Sequence, residues 1–501
     1  MSSILRSSLL NVAATGVSLG CGLLVNIVIA RLLGPAGSGT VAFMLWLAIA
    51  AASIADLGMP QTMLRYLAGE PADGTWKSLS RAAFIRLLAP AALVIVAFSG
   101  ASAFASLFPN SDYGATIWLA AGLLFLVYLL AAFSVAAARG RGHFAAAAKN
   151  TVVGNILQLP VVFVLAWLFG PAGALLGMVV RYLPQAANLP RYIDPLFKRA
   201  RVLALPADLR RYARGMWLSD LVEIVLLTRA EYVVLGFMLS AIDLGHYAVA
   251  IIFAGLIAQL AFQLSSALLV GFASSLAADN AGEAAGLLYR RSFRIAALCA
   301  MPVALGAAAI LPTLLPLVFG EAFLPAIPAA AALMAGSAFT ALTVPPWAFL
   351  AAGGQSRRIM HITLTSAVVL LTVLPGAIWW GGIEGAAIAR LTIDGLSLGL
   401  HIRAVKRHGG PLPPFGAIFA TGVAASATAG VAFAIVSWLP GVAGIIAAIG
   451  VGALVYLASV RVLRLVSKED ALQLAQWRPG DRWGGSFFVR LVALVTGHRV
   501  A

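Results

Sequence analysis

Apolar segments about as long as a membrane-crossing helix recur along almost the whole of this chain. A helix that crosses the ~30 Å hydrocarbon core of a bilayer needs roughly 20 apolar residues. Only 10% of the 501 residues are charged, whereas soluble domains carry about 25% charged residues. We therefore expect an all-α polytopic membrane protein with about 14 transmembrane helices.

The basic residues predict the orientation of these helices, because Lys and Arg accumulate in cytoplasmic loops. With a cytoplasmic N-terminus, thirty of the 34 Lys and Arg residues fall on that side. The first apolar run, 9–30, is longer than the 7–15 residues of a signal-peptide core and predicts a retained span. We expect a multi-pass protein of the cytoplasmic (inner) membrane of a bacterium, with both termini cytoplasmic. The net charge of +16 is then explained by the basic cytoplasmic loops of a membrane protein, and we expect no nucleic-acid partner.

An internal repeat predicts the organisation of the chain. The stretch "WLFGPAGALLGM" (167–178) aligns with "WWGGIEGAAIAR" (379–390) at an offset of 212 residues. Two further turns match in the same order: 138–144 with 351–357, and 32–42 with 238–248. Repeats of parallel topology are typical of transporters, with a substrate path at the repeat interface.

The repeat predicts two six-helix lobes related by a pseudo-twofold axis, followed by two C-terminal helices. The predicted segments are a lobe at 1–193, a basic cytoplasmic linker at 194–214, a lobe at 215–408, two added helices at 409–466 and a cytoplasmic tail at 467–501. Within the tail, 487–500 reads either as an interfacial amphipathic helix or as an unstructured end.

Several short motifs resemble one known family. The stretch "ARLLGPAGSGTVAFMLWLAIAAASIADLGMPQTMLRYLAG" (30–69) resembles the N-terminal signature of the polysaccharide-biosynthesis (O-antigen-type) flippases of the multidrug/oligosaccharidyl-lipid/polysaccharide exporter superfamily. In this stretch an outer turn is followed by a span that ends in "DLG" and then by "RY". Four later motifs resemble the same family in the same order: "RAEYVVLGFMLSAIDLGHYAVA" (229–250), "FGEAFLPA" (319–326), "LAAGGQSRR" (350–358) and "GGIEGAAIAR" (381–390).

The resemblance implies two facing six-helix lobes that move a lipid-linked oligosaccharide or polysaccharide precursor across the membrane by alternating access. The implied substrate is carried on a polyprenyl diphosphate and belongs to O-antigen, lipopolysaccharide or exopolysaccharide synthesis. The implied partners are this glycan lipid, membrane lipids, a glycan polymerase and glycosyltransferases. We expect no cofactor, and coupling to a proton or sodium gradient or to the membrane potential is left open.

Charged residues inside the apolar segments are the substrate-binding candidates, because an arginine near the bilayer centre costs at least ~2.5–3.5 kcal/mol and normally faces a cavity. Arg181 and Arg390 lie at similar depth in the two lobes, and guanidinium suits a diphosphate. Asp394 stands four residues after Arg390 and could neutralise it. The remaining substrate candidates are Arg31, Asn26, Gln259 and Gln263.

The seventh predicted span has the densest intramembrane charge. Its acidic residues Asp220, Glu223 and Glu231 are the ion-coupling candidates, with ion pairing between helices as the alternative. Asp56 and Arg65 belong to the "DLG…R" pattern at the inner end of the second span, where turn stabilisation or gate contacts are expected. No cysteine or histidine spacing predicts a metal site.

Other functions were weighed against the flippase. A multidrug/cation antiporter of the same superfamily is disfavoured because residues 9–30 contain no acidic residue, and a peptidoglycan-precursor flippase stays open. A membrane glycosyltransferase or polymerase is disfavoured because all predicted outer loops are short. We therefore expect a transporter without enzymatic activity.

Overall fold

The computed structural model consists of helices and connecting turns throughout its described part. That part comprises residues 2–67, 75–107, 113–195, 205–221, 230–263, 265–276 and 281–466. Its α-helices are α1 (Ser2–Ala55), α2 (Met59–Tyr66), α3 (Thr75–Leu107), α4 (Ala115–Gly140), α5 (Phe144–Val180), α6 (Leu183–Ala186), α7 (Ala207–Leu221), α8 (Ala230–Met238), α9 (Ala241–Gln263), α10 (Ser265–Leu276), α11 (Ala281–Phe319), α12 (Ile327–Ala352), α13 (Ser356–Arg407), α14 (Phe415–Trp438) and α15 (Val442–Val462).

Ten of the described helices are long and apolar enough to cross a membrane. Three of them, α1, α5 and α13, each cover two predicted spans, because non-helical glycines interrupt them at Gly34, Gly170 and Gly381–Gly382. The prediction of an all-α polytopic membrane protein is confirmed. The exact number of 14 spans stays a prediction, since the predicted seventh span includes 222–229, which lie outside the described residues.

The turns that the repeat aligns have the same local geometry. Gly170 (φ 60°, ψ −140°) and its aligned partner Gly382 (φ 54°, ψ −133°) both occupy the left-handed half of conformational space, which glycine enters at little cost. Three residues later, a Cβ on Gly173 would overlap the carbonyl oxygen of Leu165, and a Cβ on Gly385 would overlap that of Ala377. Each chain segment therefore folds back on itself with its helices in backbone contact.

The chain divides into two compact units, Met1–Ala248 and Val249–Ala501. The N-terminal unit has one core cluster around Met44, Phe125 and Leu175 and a second around Met63 and Phe133. The second cluster lies at the end of the unit that carries Arg65, Arg141 and Arg211, which we call the basic end. The predicted lobe boundaries at 193 and 215 and the linker between them stay predictions.

The C-terminal unit is built around α11, α12 and α13. Its largest core cluster contains Phe272, Tyr289, Phe293 and Leu342. The two added helices α14 and α15 pack on α11, with Ala432 and Ala448 in the cluster between them. Small residues allow this close helix packing in a membrane protein, where apolar side chains gain nothing by leaving lipid.

Candidate functional site

The sixth predicted span is broken at Arg181. The sequence predicts a continuous helix over 172–193, but α5 ends at Val180 and a turn at Arg181–Tyr182 separates it from the short helix α6. The backbone N–H of Tyr182 donates to the carbonyl of Val179 at 2.9 Å, which tightens the last turn in the manner of a 3₁₀ helix. Counted from Gly170, Arg181 lies roughly 16 Å along the helix, which is close to half of a ~30 Å hydrocarbon core.

The break is stabilised by two neighbouring positions. Gly154 leaves room for it, because a Cβ there would overlap the carbonyl oxygen of Arg181. With its amide nitrogen turned toward the break, Gln185 donates to the carbonyl oxygens of Arg181 at 2.8 Å and Tyr182 at 3.1 Å and accepts from the Thr151 hydroxyl at 3.3 Å. The Tyr182 carbonyl also accepts from the backbone N–H of Ala186 at 3.0 Å, so the Arg181 carbonyl is the one that Gln185 satisfies inside the protein, as the membrane interior requires.

The half-buried guanidinium of Arg181 lies beside a pair of packed tyrosines. Its carbon lies 5.5 Å from the ring centre of Tyr182, and the Tyr182 ring meets the Tyr128 ring edge-on at 5.1 Å. The charge of Arg181 also acts on the Tyr128 hydroxyl. In the described part of the chain, no carboxylate lies within ion-pair distance of Arg181. The site thus presents a guanidinium and a phenol without neutralising the arginine.

A polar stripe continues from this break along α5. The Asn155 side chain is fully buried and donates to the Ser18 hydroxyl at 3.0 Å and to the Thr151 carbonyl at 2.7 Å. Three residues on, Gln158 is also buried. These contacts tie α5 to α1 and fix the helix on which the break depends.

The "DLG" motif forms a strained turn directly after the apolar segment that ends at Ala55. One carboxylate oxygen of Asp56 accepts from the backbone N–H of Gly58 at 2.8 Å. Leu57 (φ 49°) and Gly58 (φ 71°) are both left-handed, a conformation that a leucine rarely adopts. Burial raises the pKa of Asp56 to about 7; the hydrogen bond from Gly58 lowers it, and the charge of Asp220 raises it further.

Arg390, the other predicted membrane-depth arginine, is neutralised within its own helix. Its Nε donates to the Asp394 carboxylate at 3.2 Å, which is the ion pair expected from their spacing of four residues. In contrast to the break at Arg181, α13 continues through this region to Arg407. The aligned parts of the two units therefore differ in both backbone and charge.

The other predicted site residues are dispersed. Asn26 donates to the Gly22 carbonyl of its own helix at 2.8 Å, while Arg31 and Gln259 are exposed. Glu231 is completely buried, and Asp220 is half-buried on α7. Glu223 and the side chain of Gln263 lie outside the described residues. Among the residues that the structure describes, no group of three His, Cys, Asp or Glu side chains could hold a metal ion.

Sequence reasoning missed Tyr128, Tyr182, Gln185 and Thr151. Tyr128 is the one hydroxyl-bearing residue in the run "GLLFLVYLLAAF" (122–133), and this isolation was an available signal. The role of Gln185 depends on the helix break, which the apolar sequence of 172–193 does not reveal.

Comparison with known proteins identifies the family. A family model described as polysaccharide biosynthesis protein matches residues 28–328, which is more than half of the chain. The chain belongs to the polysaccharide biosynthesis protein family. No curated protein sequence matches the chain significantly.

Solved structures show which fold this family member has. A lipid II flippase, MurJ, in an inward closed conformation is similar with a TM-score of 0.71, at 14% identity, over 91% of this chain and 98% of the other. An inward-facing multidrug resistance transporter of the MATE family and MOP superfamily gives 0.59 at 15% identity, over 78% and 94%. A MOP superfamily transporter from Pyrococcus furiosus gives 0.53 at 15% identity, over 81% and 95%.

Proposed function

We propose that this protein is a flippase that moves a polyprenyl-diphosphate-linked oligosaccharide or polysaccharide precursor across the bacterial inner membrane. The observation that carries the proposal is the half-buried Arg181 at the helix break, which has no carboxylate partner among the described residues. A guanidinium offers several donors in a planar fork, and phosphate oxygens are its natural acceptors. Membership of the polysaccharide biosynthesis family supports a glycan as the group carried on the diphosphate.

Alternating access is supported by a contact between α1 and the start of α9, within the N-terminal unit. A Cβ on Gly39 would overlap the carbonyl oxygen of Ala241, and a Cβ on Gly245 would overlap that of Pro35. These two glycines are equivalent in the predicted repeat at an offset of 206 residues. A contact made by bare backbone, without interlocked side chains, can separate and re-form during a transport cycle.

A peptidoglycan-precursor flippase is the second candidate, because the chain shares its fold with a lipid II flippase. The multidrug/cation antiporter is the third, and the uncompensated positive charge at Arg181 disfavours a cationic substrate. In all three the protein acts as a transporter, and its orientation with both termini cytoplasmic is part of the proposal.

A reconstituted transport assay separates the candidates. The purified full chain is placed in liposomes with a fluorescent polyprenyl-diphosphate oligosaccharide, a fluorescent lipid II or a cationic dye, and protection from an external quencher is followed. We expect the diphosphate oligosaccharide to move faster than in protein-free liposomes. Movement of lipid II alone would select the second candidate, and movement of the dye alone would contradict the proposal.

A further inference from the structure

Arg65, in the last turn of α2, is an exposed arginine whose guanidinium is stacked on a tyrosine. Its guanidinium carbon lies 4.4 Å from the ring centre of Tyr212 on α7 and 5.7 Å from that of Tyr66. An arginine stacked in this way uses the face of its planar group, so the N–H donors on the edge stay available. In the described part of the chain, no carboxylate lies within ion-pair distance of Arg65.

Backbone contacts fix the position of α7 and thereby of the stack. A Cβ on Gly58 would overlap the carbonyl oxygen of Ala213, so the turn before α2 and the α7 backbone are in direct contact. The Trp217 indole N–H donates to the Ile54 carbonyl at 3.1 Å. The guanidinium of Arg65 is therefore oriented before a ligand arrives, which lowers the entropic cost of binding one.

Further cations lie on the elements that pack around the end of α2. The end of α4 lies against α2 through Gly140, where a Cβ would overlap the Met63 carbonyl oxygen. The Nη1 atom of Arg141 donates to the Leu67 carbonyl at 3.1 Å, which satisfies a carbonyl at the C-terminus of α2. The exposed cations on α4 and α7 beside these contacts are Arg139, Arg211 and Arg214.

Two nearby carboxylates accept hydrogen bonds from hydroxyl groups. Asp208 accepts from the Tyr66 hydroxyl at 3.5 Å, and Asp194 accepts from the Ser78 hydroxyl at 2.7 Å. Cations that are brought together repel one another, and an anion placed among them relieves this repulsion. Phosphate is the anion that fits an arginine especially well, because two parallel N–H···O bonds can form.

Exposed apolar side chains beside these cations favour a lipid over a soluble phosphate. Leu64 precedes Arg65 in α2, and Ile54 and Leu218 lie next to the Trp217 hydrogen bond; all three are exposed. A lipid provides a phosphate for the arginine and an apolar chain for these residues. In the proposed orientation, the basic end lies beside the cytoplasmic leaflet.

We propose that Arg65 binds the phosphate of a lipid headgroup at the basic end, with Tyr212 as the residue that positions its guanidinium. This site is separate from the helix break at Arg181. The phosphate has two possible sources. One is the diphosphate of the transported lipid before it enters the protein, which rests on the proposed function. The other is an anionic phospholipid, which does not.

Native mass spectrometry of the purified full chain tests the site, because it counts bound lipids. The lipid-depleted chain in detergent is titrated with geranyl diphosphate, with phosphatidylglycerol or with zwitterionic phosphatidylcholine. We expect saturable binding of an anionic lipid that Arg65→Gln weakens roughly tenfold to a hundredfold, since hydrogen bonds to a charged group are lost. A loss confined to geranyl diphosphate identifies the diphosphate source, and a loss confined to phosphatidylglycerol identifies the phospholipid.

Two variants of Tyr212 test its positioning role. Tyr212→Leu removes the ring and should weaken binding roughly twofold to fivefold, as expected for the loss of an exposed cation–π contact. Tyr212→Phe keeps the ring and should restore the affinity of the unsubstituted chain. Equal affinities of the Leu and Phe variants would contradict the role assigned to Tyr212.

The matched control is Arg86→Gln, which removes an exposed arginine from α3 and should leave binding unchanged. The site is overturned if neither anionic lipid binds saturably, or if Arg65→Gln binds both as tightly as the unsubstituted chain. Diphosphate bound at Arg181 is counted separately, because it persists in Arg65→Gln and disappears in Arg181→Ala. The phosphate site and the flippase proposal can therefore fail independently.

Discussion

At the scale of single residues, the two membrane-depth arginines, Arg181 and Arg390, differ in whether a carboxylate lies beside them. Arg390 and Asp394 are four residues apart on one helix, so their ion pair follows from sequence spacing alone, and the structure contains it. Arg181 has no acidic residue nearby in sequence and no ion-pair partner among the described residues. The tyrosine pair beside it could not be inferred equally well, because Tyr128, whose ring packs edge-on against Tyr182, belongs to another helix.

The amide of Gln185 is expected to stabilise the helix break measurably. Gln185→Leu removes the side-chain donor to the Arg181 carbonyl, whereas the Tyr182 carbonyl keeps the N–H of Ala186, and an unsatisfied buried polar group costs about 1–3 kcal/mol. We expect a lower apparent Tm of the purified protein in detergent. Gln259→Leu, which changes an exposed amide, is the control, and an equal Tm for Gln185→Leu and the unsubstituted protein would contradict the role assigned to Gln185.

At the scale of helices, the aligned turns were predictable and the helix break was not. Gly170 and Gly382 align in sequence, and both adopt the left-handed conformation, because the same backbone reversal is needed at each place. The break after Val180 occurs in a sequence that favours a continuous helix. It depends on tertiary contacts, namely the missing side chain at Gly154 and the amide of Gln185.

Because the two aligned turns are equivalent, we expect an added methyl group to lower the stability of the protein equally at both. Gly173→Ala and Gly385→Ala each place a Cβ against a backbone carbonyl oxygen, and overpacking of this kind costs about 1–3 kcal/mol. Both variants should lower the apparent Tm by similar amounts. Gly376→Ala, at a helical site with open space around it, should leave Tm unchanged or raise it slightly. A strong effect at only one of the two aligned glycines would contradict their equivalence.

The glycine contact between α1 and α9 is expected to keep water-soluble reagents away from the residues next to it, such as Ser38. Gly245→Leu cannot keep the backbone of α9 against Pro35, so we expect the contact to open. A cysteine at the buried position Ser38, in a chain lacking Cys21 and Cys299, should then react faster with a membrane-impermeant maleimide added outside cells. Gly255→Leu, at an open site, is the control. Unchanged labelling in Gly245→Leu would show that the contact does not close this region.

At the scale of the whole molecule, composition and hydropathy were sufficient to predict an all-α membrane protein, because a long apolar segment in lipid must satisfy its backbone hydrogen bonds internally, as a helix does. The family could be recognised from short motifs that the matched region 28–328 largely contains. The identity of the transported lipid, in contrast, could not be predicted from composition or short motifs. Its recognition depends on how a few polar side chains are placed at membrane depth, and residues far apart in sequence, such as Tyr128 and Arg181, contribute together.

The most direct test of the flippase proposal is the rate at which Arg181 variants move the fluorescent polyprenyl-diphosphate oligosaccharide in liposomes. A hydrogen bond to a charged group contributes about 1.5–3 kcal/mol, so Arg181→Ala should lower the rate roughly tenfold to a hundredfold. Arg181→Lys should fall between Arg181→Ala and the unsubstituted protein, since it keeps the charge and loses the planar fork. Lys149→Ala, which removes an exposed cation from the same helix, should have no effect. An Arg181→Ala protein that reconstitutes normally and flips the lipid at the unsubstituted rate would contradict the account.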